Sequence, residues 1–375
     1  MATTLKDIAR DLGVSAITVS KVLRNHPDIS EGTRKMVLKR IKELDYQPNY
    51  AARALITGRT YIVGLVVPDL LHPFFASVAK AISKEIQKKG YSLLISSSDE
   101  EPELEQKEIQ QLLARRVDVM IVASVQHGFQ NLRSLSAQKV PYILLDRMFP
   151  GLTSSFVGVD DQAVGYLATA HLIEQGCVRI AHIQGPEVST ATGRSEGYAR
   201  ALDTYQMAPA TGHVIPIGPS GDHRGEEAGY DAGRQLLSLH ERPDGIFCFN
   251  DPVALGAMRA ILEAGLRIPE DVAVVGCGNL SYSDFLRVPL SSVDQDSARI
   301  GETAALMAMN LAEGRTELIP ETKLIEPHVV ARASSLRQIF HHEERSVLPC
   351  NEKADDTGVV PIDSDARSLA TTQPR

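Results

Sequence analysis

From Tyr61 onward the chain alternates short, mainly apolar runs with longer amphipathic stretches, and this alternation restricts the fold more than any other feature. Residues 62–67, 91–95, 119–122 and 142–145 are such runs, and the texture returns at 178–183, 245–249 and 272–275, each followed by a helical segment. Strands that are apolar along their whole length are buried on both faces, which requires parallel sheets covered by helices. Two such sets, in a chain of 375 residues that is too long for one core, predict two α/β lobes. Ligands in such folds bind at the carboxyl ends of the strands, so the expected site is the cleft between the lobes.

The first 60 residues have a different character. They carry 11 Lys and Arg against 6 Asp and Glu, a balance of +5 in a chain whose net charge is −8. A small basic head on an acidic body is the pattern of a nucleic-acid partner. Leu5, Ile8, Ala9 and Leu12 recur at helical spacing, and Gly13 ends that helix. Ser15 stands at an N-cap position for a second helix over about 16–24, which Asn25, His26 and Pro27 break. Ser30 caps a third, with Val37, Leu38, Ile41 and Leu44 expected as its buried stripe. Three short helices with a tight glycine turn between the first two predict an all-α helix-turn-helix head over 1–48. An Ala-rich, helix-compatible segment and linker follow over 49–60. On the second helix Val19, Val22 and Leu23 share one side, and Ile17 falls on the other, among Ser20, Lys21 and Arg24.

Other functions leave no trace in the sequence. The four cysteines have no CxxC spacing, the eleven histidines form no HExxH or other ligand set, and no GxSxG, P-loop or GxGxxG motif occurs. Neither catalysis nor a cofactor or metal is expected. No apolar run reaches the eighteen residues of a membrane span, and the charged N-terminus lacks an apolar signal core, so the expected location is cytoplasmic, with no membrane partner. A solute-binding receptor would share the lobes but need the signal and lack the basic head. Residues 341–375 are polar, with Pro349, Pro361 and Pro374, and are expected to be a disordered tail without a coiled coil.

The head resembles the lac repressor family of bacterial transcription regulators (LacI/GalR type). The resemblance rests on Thr4-Leu-Lys-Asp-Ile-Ala9, Gly13-Val-Ser15, Thr18-Val-Ser20, Val22-Leu23, Leu44 and Tyr46-Gln-Pro-Asn49, with Ala52, Arg53 and Leu55. It continues to about residue 336 through Pro73-Phe-Phe75, Leu144-Leu-Asp-Arg147, Gly185-Pro186, Arg194, Gly197-Tyr198, Asn250-Asp251, Ala254-Leu-Gly-Ala257 and Ile268-Pro-Glu-Asp-Val272. It implies a homodimer that binds a palindromic operator in double-stranded DNA, most simply as a repressor. The body would be a periplasmic-binding-protein-like pair of lobes, 61–161 with 292–322 and 162–291 with 323–340, sensing a small molecule. The second helix would enter the major groove, with Ala16, Ile17 and Lys21 at base edges and Ser15, Thr18 and Ser20 on phosphates. Residues 49–60 would form a hinge helix seated by Tyr50 and Arg53, with Leu55 wedged between base steps in the minor groove.

For the effector, the resemblance implies Phe74, Phe75, Asp146, Arg147, Arg194 and Asn250, with Asn279 beside them. The family usually has an aspartate where this chain has Gly278. Arg147 and Arg194 without that carboxylate predict an anionic effector, a sugar acid or sugar phosphate. A neutral sugar held by Asp146, Asn250 and Asn279 is the alternative.

Overall fold

The computed structural model describes residues 3–23, 26–46, 54, 58–126, 128–132, 135, 138–149, 151–218, 225–314 and 319–337. Tyr50, Arg53, Leu55 and the 341–375 segment lie outside them.

The head contains α1 (Leu5–Asp11), α2 (Ala16–Leu23) and α3 (Glu31–Glu43). Thr4 starts α1 with a capping box: its hydroxyl accepts from Asp7 N, and its own N–H donates to the Asp7 carboxylate at 3.0 Å. Gly13, at φ 64°, closes α1 by letting Gly13 N reach Arg10 O and Val14 N reach Ala9 O, a turn that needs the left-handed region. The Ser15 hydroxyl then accepts from Thr18 N at 3.0 Å and opens α2. Ile8, Val19, Val22 and Val37 form the buried centre of the head. Leu38 corrects the expected stripe, because it is 47% exposed. The inner face of α3 runs through Val37, Ile41 and Leu44, and position 38 is turned about 100° away from Val37.

The first lobe holds β1 (Ile62–Val67), β2 (Ser92–Ser97), β3 (Val119–Val122), β4 (Tyr142–Leu145), β5 (Ser155–Val159) and β11 (Thr322–Ile325), ordered β11-β5-β4-β3-β1-β2 and parallel throughout. Helices α4 (Pro73–Gln87), α5 (Pro102–Ala114) and α10 (Ser297–Ala312) cover it. The second lobe holds β6 (Ile180–Gln184), β7 (Val214–Pro216), β8 (Gly245–Cys248), β9 (Ala273–Cys277), β10 (Ser291–Asp294) and β12 (His328–Val330), ordered β12-β10-β9-β8-β6-β7, with the β10–β12 pair antiparallel. Helices α6 (Asp161–Glu174), α7 (Ser189–Thr204), α8 (Gly225–Leu237) and α9 (Asp251–Glu263) cover that sheet.

The chain passes between lobes after β5, after β10 and after β11. The last two passages follow Asp294, where β10 completes the second sheet, and Ile325, where β11 completes the first. Glycines let two helices touch backbone to backbone. A Cβ at Gly165 on α6 would lie 1.9 Å from Arg194 O on α7, and one at Gly197 would lie 2.1 Å from Gln162 O. Two helices locked at that separation fix Asp161 and Arg194 against each other at the mouth of the cleft.

Candidate DNA-reading face and effector cleft

Helix α2 buries Val19 and Val22 and leaves Ile17 69% exposed. The polar residues around Ile17 are already organised. Ser15 and Thr18 hydroxyls lie 2.9 Å apart at the helix start, and Lys21 Nζ donates to Asp28 at 3.1 Å. Ala16 and Ser20 are half-buried. A DNA phosphate or base would meet Lys21 as a cation with an exposed, exchangeable partner.

In the body, the expected effector residues converge at the carboxyl ends of strands. His72, Phe74 and Phe75 follow β1, Asp146 and Arg147 follow β4, and Asn250 follows β8; Gly278 and Gln295 follow β9 and β10. With Arg194 and Thr190 from α7, they line one cavity between the lobes. Its volume is about 30 Å³, room for a water or two and far less than a sugar ring needs. Phe74 and Phe75 pack edge to face at 5.1 Å and are also buried in the first lobe's core, so they serve packing and the cavity wall together. The lobes meet here: His72 Nε2 and Asn250 Nδ2 stand 3.4 Å apart, while Asn250 Oδ1 accepts from Val253 N to cap α9. Nearby, Met148 N donates to the Ser189 hydroxyl at 3.0 Å.

The charges differ from the expected picture. Arg147 makes a bidentate pair with Glu100, at 2.8 and 3.0 Å, and both are largely buried. Arg194 is 4% exposed; its Nε donates to Asp161 at 3.0 Å, its Nη1 to Phe249 O at 2.7 Å, and its guanidinium lies 4.7 Å from the Phe249 ring centre. Each arginine therefore has its own carboxylate, and the positive field expected from the loss at Gly278 is not built. An anionic effector loses its basis. Asn279 departs too: it is absent from the residues lining the cavity, its side chain donates to Asp294 at 2.7 Å, and it accepts from Arg332 at 2.8 Å.

The sequence reading missed His72, Glu100, Asp161 and Asp251. Asp251 is fully buried beneath Gly278, accepting from the Ser292 hydroxyl at 2.6 Å and from Leu280 N at 2.9 Å. Burial pushes its carboxyl up to about 6, against those hydrogen bonds, and pushes the Asp161 carboxyl up to about 7, with Arg194 pulling the other way. A carboxyl whose folded value lies above its unfolded one, near 3.9, adds stability below about pH 4 that is lost as the pH rises through the folded value. Asp251→Asn should thus show a shallower fall in melting temperature between about pH 4 and pH 7 than the parent protein. Parallel melting curves for the two would contradict this reading of Asp251.

A helix-turn-helix head joined to two lobes that enclose a polar cleft defines a class: a DNA-binding regulator with a ligand-sensing body. Comparison with known proteins gives the family. Residues 4–49 match bacterial regulatory proteins of the lacI family, and residues 60–328 match periplasmic binding proteins and the sugar binding domain of the LacI family. The chain is 32% identical over 340 residues to the HTH-type transcriptional repressor PurR of Haemophilus influenzae (strain PittEE), spanning 88% of this chain and 98% of that protein. The lac repressor dimer bound to operator and the anti-inducer ONPF superposes with a TM-score of 0.79 at 27% identity, covering 90% of this chain and 100% of that one. A complex of the transcriptional regulator CelR with cellobiose gives 0.67 at 30% identity, covering 88% and 99%. The chain belongs to the LacI family of transcription regulators, and its relatives are regulators rather than enzymes. No helix among the described residues is long and apolar enough to cross a membrane.

Proposed function

We propose that the protein is a homodimeric repressor that binds a palindromic operator, with DNA affinity set by a neutral, sugar-like effector held between the lobes. The observation that carries the sensor half is the convergence of Asp146 and Asn250, each beyond a strand end, and Arg194, from α7, on one cavity between the two lobes. The Arg194 Nη2 makes no hydrogen bond among the described residues, which leaves a donor for a ligand oxygen. Balanced arginines and the acidic Asp146 favour hydroxyl groups over carboxylate or phosphate. The similar regulator complexed with cellobiose fits that choice.

Because the cavity is small, a ligand enters only when the lobes part. A ligand that favours one lobe arrangement shifts DNA affinity, and DNA shifts ligand affinity by the same factor. The operator-bound lac repressor dimer, similar over 90% of this chain, supports the homodimer. A twofold dimer would present two copies of α2, so the site would be an inverted repeat. In this reading Ser15, Thr18 and Ser20 touch phosphates, Ala16, Ile17 and Lys21 read bases, and the hinge of Tyr50, Arg53 and Leu55 kinks the centre.

The test is quantitative binding to a selected operator. Lys21→Ala should cost about 1–3 kcal/mol and relax preference at one base pair in each half-site. Ile17→Ala should erase the preference for thymine over uracil at its contact, since only the methyl differs. Uracil substituted throughout the half-site without any loss of wild-type affinity would contradict the methyl contact. Full affinity of a monomer for one half-site would contradict the palindrome.

A further inference from the structure

The central cavity is not the only space at the lobe junction. A second cavity of about 650 Å³ lies beside it, within the range of about 300–1,000 Å³ typical of small-molecule sites. Arg147 lines both cavities, and the Arg194–Asp161 pair has its arginine on the central one and its aspartate on this one. Both lobes contribute: Met148 and Phe149 follow β4 in the first, and Glu187, Ser189 and Thr192 precede or open α7 in the second. The Met148–Ser189 hydrogen bond joins the lobes at its wall, so an occupant would touch both sides of a contact that exists only when the lobes are together.

The chemistry of the wall selects the occupant. Arg147 is the one guanidinium lining it among the described residues, and Glu100 already neutralises that charge. Asp161 is paired with Arg194 in the same way, and Asp160, Glu187 and Glu196 make the remaining charged wall acidic. An anion is disfavoured there, and a ligand rich in hydroxyl donors is favoured. Phe149 and Met148 add the apolar surface that the C–H face of a sugar ring covers.

We propose that this side cavity is a second subsite of the effector cleft and that the effector is a neutral disaccharide or longer glycoside. One unit occupies the central cavity after the lobes part, and the next rests between Phe149 and α7. The proposal rests on the sugar-sensor reading above and goes further by assigning the size of the ligand and a second set of contacts.

Isothermal titration of the full-length protein with glucose, galactose, cellobiose, maltose and lactose tests it. At least one disaccharide should bind ten-fold or more tightly than its own constituent hexoses. Thr192 is exposed on α7 and lines only the side cavity. Thr192→Phe should fill that space and bring the disaccharide's affinity down to the hexose's, leaving hexose binding and melting temperature as in the parent. Glu187→Ala, at an exposed position, should weaken the disaccharide alone by a smaller factor. Hexoses binding as tightly as disaccharides would overturn the second subsite and leave the sugar sensor standing, as would equal losses for both ligands in Thr192→Phe. A panel in which no sugar binds would overturn both readings.

Discussion

Replacing Arg194 with alanine is expected to abolish the response to effector while the protein still binds operator. The guanidinium is buried and bridges three groups: the Asp161 carboxylate, the Phe249 carbonyl and the Phe249 ring. Its removal strips a buried carboxylate of its cation, and breaking a buried pair on one side costs about 3–5 kcal/mol. Burial already holds the Asp161 carboxyl up near 7 against the pull of Arg194. The cost falls on the second lobe, which holds α6, α7 and β8, and the head has its own core around Ile8 and Val37. Chemical denaturation should show a body unfolding at lower denaturant, and titration with sugar should show no change in operator affinity. A normal sugar response in Arg194→Ala would remove this residue from the sensor.

Gly165→Ala should act nearly as strongly by a different route. The added methyl would sit 1.9 Å from Arg194 O and 2.7 Å from Arg194 C, closer than any real contact, and both are backbone atoms. No rotamer change relieves such a clash, so α6 and α7 must separate. Overpacking of this kind costs about 1–3 kcal/mol, and the upper end or beyond is expected where backbone opposes backbone. Separating the helices also pulls Arg194 from Asp161, so sugar affinity should fall along with the melting temperature. By contrast, alanine at Gly218, where an added Cβ meets nothing within 4 Å, should leave melting unchanged. Equal melting temperatures for Gly165→Ala and the parent would show that the helices have room to give.

These two substitutions mark what the sequence could and could not disclose. Three of the expected strands, 62–67, 119–122 and 142–145, coincide with β1, β3 and β4, because each is apolar, buried and in the interior of its sheet. The short strands β7, β10, β11 and β12 were illegible. They carry polar residues or only three or four positions, and β10 buries Ser291 and Ser292 through hydrogen bonds to Ser334, Arg332 and Asp251 that only the folded chain brings close. Leu38 went wrong because a stripe on a short helix is ambiguous by one position until its partners are known.

The site shows the same division. Asp146, Arg147, Arg194 and Asn250 were legible one at a time, and the structure does bring them to one cavity. Their charge balance was not legible. Glu100 lies 47 residues from Arg147, and Asp161 lies 33 residues from Arg194, so no local pattern pairs them. Losing an aspartate at 278 therefore looked like a shift toward anions, when carboxylates from distant segments already matched both guanidiniums. Asn279 looked like a ligand group from its position after β9, but its φ of 48° and its bonds to Asp294 and Arg332 commit it to the scaffold.

The central claim is that one molecule couples the reading of DNA to the binding of a small sugar. DNA selected from a random pool, followed by fluorescence anisotropy of the winning duplex with and without each neutral sugar, tests it most directly. The selected DNA should be an inverted repeat, at least one sugar should change its dissociation constant about five-fold or more, and the operator should change that sugar's affinity by the same factor. A protein that binds DNA without sequence preference, or whose operator and sugar affinities are independent of each other, would contradict the account.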